Sequence, residues 1–586
     1  MFKVRPVHEA IVVAVALAVL LTWPLALDPT GSLLGHPGND VWNHVWGYWW
    51  VAEELGAGRL PTRTDLMNMP DGGRLFFIDT FGALASLPIQ LLVGPVAAYN
   101  AVMVGSFVVA ALGAWALARH VVRTARGDAP AVDQAAVFAG VAYASSPHLI
   151  AQAYNGITET MFAAGLPIAT LAVLRLTERP TVLRALAAGT AVALCVLANW
   201  YYGLFAVIGS AILLVSAAVA RRERIHWAAL PTRLAGAVAI TAALVTPVLM
   251  GFAASIDEQD ALVRRDPAFV WQSLVTHNIT DLVSVFRPGR VYSPDLKALH
   301  GEDLLIVTYV GWALTTGALW GLFRMRRWRD RLPWMAWILV FFVLMLGPYL
   351  NIGGEYVTVA DRRIPLPFLA LYDAIPAFQR ISHPFRFVVP VQLGLAVLAA
   401  RGLADAPPVL RILAPLVVVF EVCRLSPAPW PIARSDASVP TYVSALAEGP
   451  PGGVIDLPIT VPNLERAVYL YWQTRHGRPS PYTLNEPLPG LLARSHLARV
   501  LLVAEAGRLD SLPPVLPHLD LVVSARALGE VGVRYVVVHE PLYPPDRLAT
   551  TLTILRTALG PELVRTDDHR RIWSVAPPAR SEEGAE

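Results

Sequence analysis

Cysteine is almost missing from this chain. Cys195 and Cys423 are the only two, and both stand in apolar stretches, which leaves no disulfide framework and no cysteine-based zinc site. Charge is scarce as well, at 16% Asp, Glu, Lys and Arg, where soluble domains carry roughly 25%. The 47 basic and 44 acidic residues nearly cancel to +3, which argues against a nucleic-acid partner. There is no Gly-rich phosphate-cradling loop and no Walker-type motif, so nothing points to an ATP-driven pump. No internal repeat, low-complexity tract or strong metal-ligand template is found, and no cofactor is identified.

Apolar residues are abundant instead. They make up 55% of 586 residues, with a mean hydropathy of +0.50, the composition of a polytopic α-helical membrane protein. A helix needs roughly 20 apolar residues to cross the hydrocarbon core. That rule predicts about eleven spans, near 9–27, 82–118 (a re-entrant piece, then a true span from about 98), 132–147, 157–176, 182–199, 202–220, 232–252, 304–323, 332–350, 386–403 and 408–424. The N-terminal run follows Lys3 and Arg5 but ends in Trp23-Pro24 without a small-x-small cleavage pattern, and is read as an uncleaved first span.

Arginines then sort the loops. Arg119, Arg123 and Arg126; Arg175, Arg179 and Arg184; Arg221, Arg222, Arg224 and Arg233; Arg324 to Arg331; and Arg401 with Arg411 fall on the side of the N-terminus, which the positive-inside rule makes cytoplasmic. The opposite side receives the long loop 28–97, the turn 145–155, the turn at 200–202, the loops 253–303 and 351–385, and everything after about 425. Residues 1–424 thus read as a multi-span domain and 425–586 as an extracytoplasmic mixed α/β domain. That domain is entered through Pro427, Pro429 and Pro431 and ends in a disordered tail. Gly453–Leu457 and Val533–Val538 read as buried strands, with helical stretches at 459–475 and 491–508 between them.

The first outside loop holds a polar cluster, Asn39-Asp40-Val41-Trp42-Asn43-His44, and tryptophans at 42, 46, 49 and 50. That spacing marks one face of a helix. It predicts a surface helix with its tryptophans in the membrane interface and Asp40, Asn43 and His44 at its start. A carboxylate at the bilayer edge is where an enzyme acting on a membrane-borne substrate would place a base, although Asp40 could equally be the helix N-cap. Asp71 sits in a Pro-Asp-Gly turn, and Asp71 or Asp79 could supply a second carboxylate. His148, Asn155 and Glu159 flank the second outside turn. Glu159 stands at the start of a span, as a functional acid or as one favourably placed at a helix N-terminus. Tyr201 and Tyr202 either line a pocket or anchor at the interface. His277, Asn278 and Asp281 could hold a metal with Asp303, and His539 reads as a strand cap.

These features resemble a known group. Asp40 with Trp42-Asn43 and Trp49-Trp50, then Pro70-Asp71-Gly72-Gly73, Gly94-Pro95-Val96-Ala97-Ala98-Tyr99-Asn100, Ser146-Pro147-His148, Tyr201-Tyr202-Gly203-Leu204-Phe205, the Arg380 to Arg386 stretch and Gly532 to His539 are similar to stretches of bacterial multi-pass proteins described as glycosyltransferases or uncharacterised membrane proteins. The order of elements resembles the GT-C fold of integral-membrane glycosyltransferases. The resemblance implies a location in the bacterial inner membrane and transfer of a sugar from a polyprenyl-phosphate carrier to a glycan, lipid or protein acceptor at the outer face.

It also implies that Asp40 deprotonates or orients the acceptor, although many GT-C enzymes carry two adjacent acids where this chain has Asn39 and Val41 beside Asp40. In that setting Arg380 and Arg386 would hold the donor phosphate, since guanidinium grips phosphate in a bidentate manner, with His383 and His44 assisting; the arginines could instead snorkel to lipid headgroups. Two rival readings stand beside this one. A transporter or flippase of a lipid-linked saccharide would place ionisable groups near the midplane, and a non-catalytic envelope-assembly protein would use the membrane part as a platform.

Overall fold

The computed structural model describes residues 6–220, 227–257, 260–262, 267–288, 303–325, 327–484, 489–508 and 518–575. The expected disordered tail, Lys3 and Arg5, and Arg221, Arg222, Arg224 and Arg326 lie outside the described residues. The chain divides into two compact units. One comprises residues 1–36, 78–251 and 265–436; the other comprises 37–77, 252–264 and 437–586. This division falls at 436/437 where the sequence suggested 424/425, and it groups most of the first outside loop with the C-terminal residues.

The first unit is helical. Among the described residues, five helices are long and apolar enough to cross a membrane: Pro95–Arg126, Thr158–Glu178, Trp200–Ala220, Leu230–Ala253 and Pro384–Leu403. Shorter apolar helices cover Pro6–Leu21, Thr80–Val93 and Val182–Ala198, and further helices cover Pro130–Ala144, Trp312–Arg324, Trp328–Met345 and Pro408–Leu425. Every expected span therefore contains helix. Pro384–Leu403 is 83% buried and Leu230–Ala253 only 11% buried. An apolar helix with so little protein around it is stable where its surroundings are lipid rather than water.

The expected span 304–323 is a helix only from Trp312 onward. Residues 303–311 form no regular element, and some of their backbone groups are met by side chains. Asn155 Nδ2 donates to the Leu305 carbonyl at 2.9 Å and Asn155 Oδ1 accepts from the Leu305 N–H at 2.7 Å. His148 Nδ1 meets the Val307 carbonyl at 3.1 Å. Hydropathy cannot distinguish such an irregular run from helix, because Leu304-Leu305-Ile306-Val307 is apolar in either form. Gly311, at φ +89°, turns the chain into the helix.

Two devices tie this helix down. Glu421, buried in Pro408–Leu425, accepts from the N–H groups of Trp312 and Ala313 (2.8 Å to the latter) and from the Tyr309 hydroxyl, so a carboxylate sits on the positive end of a helix. Gly321 and Gly402 let Trp312–Arg324 and Val388–Leu403 approach at backbone distance, as small residues do between membrane helices. Near its chain ends the unit is closed by an antiparallel pair, Ser32–Leu34 with Arg434–Asp436.

The second unit carries a four-stranded sheet. Gly453–Leu457 runs parallel to Val533–His539, which pairs antiparallel with Arg570–Ser574, which in turn pairs with Val564–Arg565. The two runs expected as buried strands form the parallel pair. His539, expected as a strand cap, instead meets Asp456 on the neighbouring strand at 2.9 Å, both buried, with the rings of Trp472 and Tyr469 at 4.7 and 5.0 Å. Residues 37–77 of the first outside loop belong to this unit. Gln473 Nε2 donates to the Leu66 carbonyl, as does Ser480 N–H, and the Ser480 carbonyl accepts from Met69 N–H.

The helix expected after Asp40 forms, at Val41–Gly56. Its tryptophans are not an interface belt. Trp46 and Trp50 are fully buried, Trp42 packs on Tyr471 at 5.2 Å, and Trp46 Nε1 donates to Gln473 Oε1 at 2.8 Å. The aromatic face lies on the helix Val468–His476, because an indole N–H is better met by a buried amide than left at a lipid boundary.

Gly321→Ala tests the helix contact. An added Cβ would stand 1.9 Å from the Leu398 carbonyl oxygen, and we expect a loss of about 1–3 kcal/mol, read as a lower thermal midpoint in detergent. Gly236→Ala, inside a helix and with nothing within 4 Å, should not lower the midpoint.

Candidate functional site

In the first unit four short segments converge. The helix Pro147–Asn155 begins after Ser146, whose hydroxyl caps Leu149 N–H. Thr158–Met161 follows. Asn199 then pins two segments together: its Oδ1 accepts from Tyr201 N–H at 2.9 Å and its Nδ2 donates to the Glu159 carbonyl at 3.3 Å. The turn Pro384–Phe387 supplies the fourth segment.

Arg386 lies over the Tyr201 ring, 5.0 Å from its centroid, a cation–π contact. The His383 N–H donates to the Tyr201 hydroxyl at 3.1 Å, and Ser382 Oγ bonds His383 Nδ1 at 2.7 Å. Tyr202 is buried and donates to the Thr160 carbonyl, and its hydroxyl feels the charges of Arg386 and Glu159. Glu159 itself is buried, in the first turn of its short helix. Both tyrosines thus point into the protein, which sets aside the interface-anchor reading.

Three polar atoms in this region are buried and have no hydrogen-bond partner among the described residues: Arg386 Nε, His148 Nε2 and Gln152 Nε2. His148 and Gln152 are four residues apart on one helix, hence on one face. The His148 ring stands 6.0 Å from that of Phe385. Burial, with Arg386 adding to it and the bond to Val307 opposing, pushes the His148 imidazole down to about 3, so it is neutral at physiological pH. With Nδ1–H donated to Val307, its Nε2 is an acceptor. Together the three atoms offer two N–H donors, one of them cationic, and one acceptor, and the buried Glu159 carboxylate stands in the same region, so an anion here would be held by Arg386 against that negative charge.

Arg380, paired with Arg386 in the sequence reading, is exposed at the end of the turn Phe378–Arg380 and is not among the residues that converge here. Gln152 and Asn199 were not singled out from sequence. The one available signal was the i, i+4 pairing of His148 with Gln152 in an otherwise apolar helix.

Asp40, Asn43 and His44 belong to the second unit. Asp40 occupies the N-cap position of Val41–Gly56, but its side chain does not cap the helix. Its Oδ1 instead accepts from Asn43 Nδ2 at 3.0 Å, and the carboxylate is half-buried. Asn43 and His44 are buried, with His44 edge-on to Phe77 at 6.0 Å.

The other acids have structural duties. Asp79 caps Thr80–Val93 through Gly82 N–H at 3.0 Å and accepts from the Thr158 hydroxyl. Asp71 is exposed in a turn with Gly72 at φ +63°. Asp303 stands 3.9 Å from His36 Nδ1, and among the described residues no group of three or more His, Cys, Asp or Glu side chains could hold a metal.

Over nearly the whole chain the fold is that of a helical membrane protein and is similar to the GT-C fold. Solved structures that it resembles include those of the Archaeoglobus fulgidus oligosaccharyltransferase. One is tethered to an acceptor peptide with the NVT sequon (TM-score 0.50, 12% identity, 98% of this chain and 74% of that chain), and another, AglB, is in complex with an inhibitory peptide and a dolichol-phosphate (TM-score 0.50, 13% identity, 96% and 72%). ArnT from Cupriavidus metallidurans bound to undecaprenyl phosphate matches at TM-score 0.45 and 14% identity, over 97% of this chain and 98% of that chain. No protein-family model and no curated protein matches the sequence.

The depressed His148 has a measurable consequence. Its unfolded form takes a proton near pH 6.5 while the folded form resists until about 3, so stability held above pH 6.5 is lost as pH falls through that window, by up to about 1.4 kcal/mol per unit. His148→Gln should flatten this part of the acid slope in thermal unfolding between pH 7 and pH 5, whereas an unchanged slope would mean that the ring is not held neutral.

Proposed function

We propose that this protein transfers a sugar from a polyprenyl-phosphate-linked donor to an acceptor on the extracytoplasmic side of the bacterial inner membrane. The observation that carries the reading is the buried, unpartnered Nε of Arg386 beside His148 and Gln152. A guanidinium N–H held in a buried setting without an acceptor is costly unless an anion completes it. The fold shared with an oligosaccharyltransferase whose complex contains dolichol-phosphate supports the same chemistry.

In this reading Arg386 receives the donor phosphate, and the exposed Arg380 attracts it over a longer range. Tyr201, Tyr202, His383 and Glu159 shape the surrounding pocket, and His44 and Asn43 orient Asp40. The acceptor oxygen forms a bond to the anomeric carbon as the bond to phosphate oxygen breaks, with the phosphate leaving with the electron pair. Such a leaving group needs charge stabilisation more than protonation. Asp40 takes the acceptor proton. Residues 425–586 and the loop that carries Asp40 lie on the extracytoplasmic side in this arrangement, with the N-terminus in the cytoplasm and about eleven spans between.

The test is donor consumption in vesicles containing the purified chain and a polyprenyl-phosphate-linked sugar. Asp40→Asn should lower turnover by about 100-fold or more with an unchanged thermal midpoint. Arg386→Lys should weaken donor binding by about tenfold or more. Normal turnover in Asp40→Asn would refute the assignment of the base.

A further inference from the structure

A second set of buried, unpartnered polar atoms lies in the first unit, apart from the Arg386 cluster. Asp281 is fully buried, and its Oδ1 accepts from Val283 N–H at 2.7 Å and from Gly353 N–H at 3.0 Å. Its other oxygen, Oδ2, has no hydrogen-bond partner among the described residues. Asn351 stands directly across a parallel bridge from Asp281, with Leu282 N–H donating to the Asn351 carbonyl at 3.0 Å. Partners in register carry their side chains on one face. Asn351 is 1% exposed, and its Oδ1 is likewise unpartnered. Within three residues of Asp281, Asn278 Oδ1 and Thr280 Oγ1 repeat the pattern at 2% and 0% exposure.

All four atoms are oxygens, and as they stand the carboxylate and amide oxygens can only accept. The Thr280 hydroxyl and the amide Nδ2 groups could donate, but none bonds Asp281 Oδ2, and a bare buried carboxylate oxygen is among the most costly groups in a fold. What completes such a set is a cation. One carboxylate with neutral amide and hydroxyl oxygens is a hard-ligand site that suits calcium, whose flexible coordination tolerates an irregular cage better than the octahedral demand of magnesium does.

We propose that Asp281 and Asn351, with Asn278 and Thr280, form a structural calcium site that ties the 278–285 segment to the Gly353-Gly354 hairpin. With a single negative ligand the site is weak, with a dissociation constant of about 0.1 to 1 mM, the range of extracellular calcium modules. The observations behind it are separate from those behind the transfer reading, and calcium binding can be measured without donor or acceptor.

The experiment is thermal unfolding of the purified full chain in detergent, titrated with calcium chloride alone, with magnesium chloride alone, and after chelation. Calcium should raise the midpoint saturably and magnesium less so. Asn351→Asp adds a second carboxylate and should tighten calcium binding by about tenfold, with low stability in chelator that calcium restores. Asp281→Asn should abolish the calcium response. No midpoint shift with calcium up to about 10 mM, ten times the weak end of that range, would overturn the proposal. So would a response retained in Asp281→Asn, or an Asn351→Asp protein destabilised equally with and without calcium. Any of these would leave ordered water as the partner of these oxygens.

Discussion

Inside an apolar helical body every charged or polar group must find its partner within the protein, because neither lipid nor a packed core will supply one. Glu421 illustrates how strictly this is met: three donors from another stretch of chain converge on one carboxylate. The N-terminus of Trp312–Arg324 is thereby capped, and the residues before it are held by Asn155 and His148. Most of the helical unit is arranged around such obligations, and the close contact at Gly321 and Gly402 keeps the helices near enough for them to be met.

Against that background the exceptions carry meaning. Arg386, His148 and Gln152 each retain a buried polar atom without a partner, on segments held in place by fully bonded neighbours such as Asn199 and Thr160. Among the described residues Arg233 and Arg401 also have a buried, unpartnered Nε, and Arg386 differs from them in its neighbourhood with the neutral His148, where a bound anion is the chemically matched partner. The second unit follows the same rule differently. Its sheet buries the Asp456 and His539 pair among aromatic rings, with Asp456 also accepting from Tyr442 at 3.4 Å. Its aromatic helix finds partners in Tyr471 and Gln473 instead of a lipid boundary.

Much of the helical framework was legible in the sequence because a membrane span is a local property, a run of some 20 apolar residues bounded by arginines and turns. The strands at 453 and 533 were legible for a similar reason, as short apolar runs between turns. Of the site, Arg386, His383, Tyr201, Tyr202 and Glu159 could be singled out because aromatic and ionisable side chains at span boundaries stand out. Gln152 and Asn199 could not, since a lone amide near a turn looks like ordinary turn chemistry. Residues 303–311 were misread as helix because hydropathy reports burial and not backbone shape, and the tryptophan helix was assigned to the interface because its periodicity says nothing about what it packs on.

The sequence alone thus determined the class, a polytopic helical membrane protein with a mixed α/β portion, and the boundaries of most helices, since both follow from composition and spacing along the chain. Only the tertiary structure decided which polar residues are spent on holding the fold and which are kept for a ligand. Asp79 and Glu421 are bonded by segments about 80 and 110 residues away, whereas Arg386 Nε is met by none of the described residues. Hydrogen-bond satisfaction between distant segments depends on packing, and no local pattern encodes it.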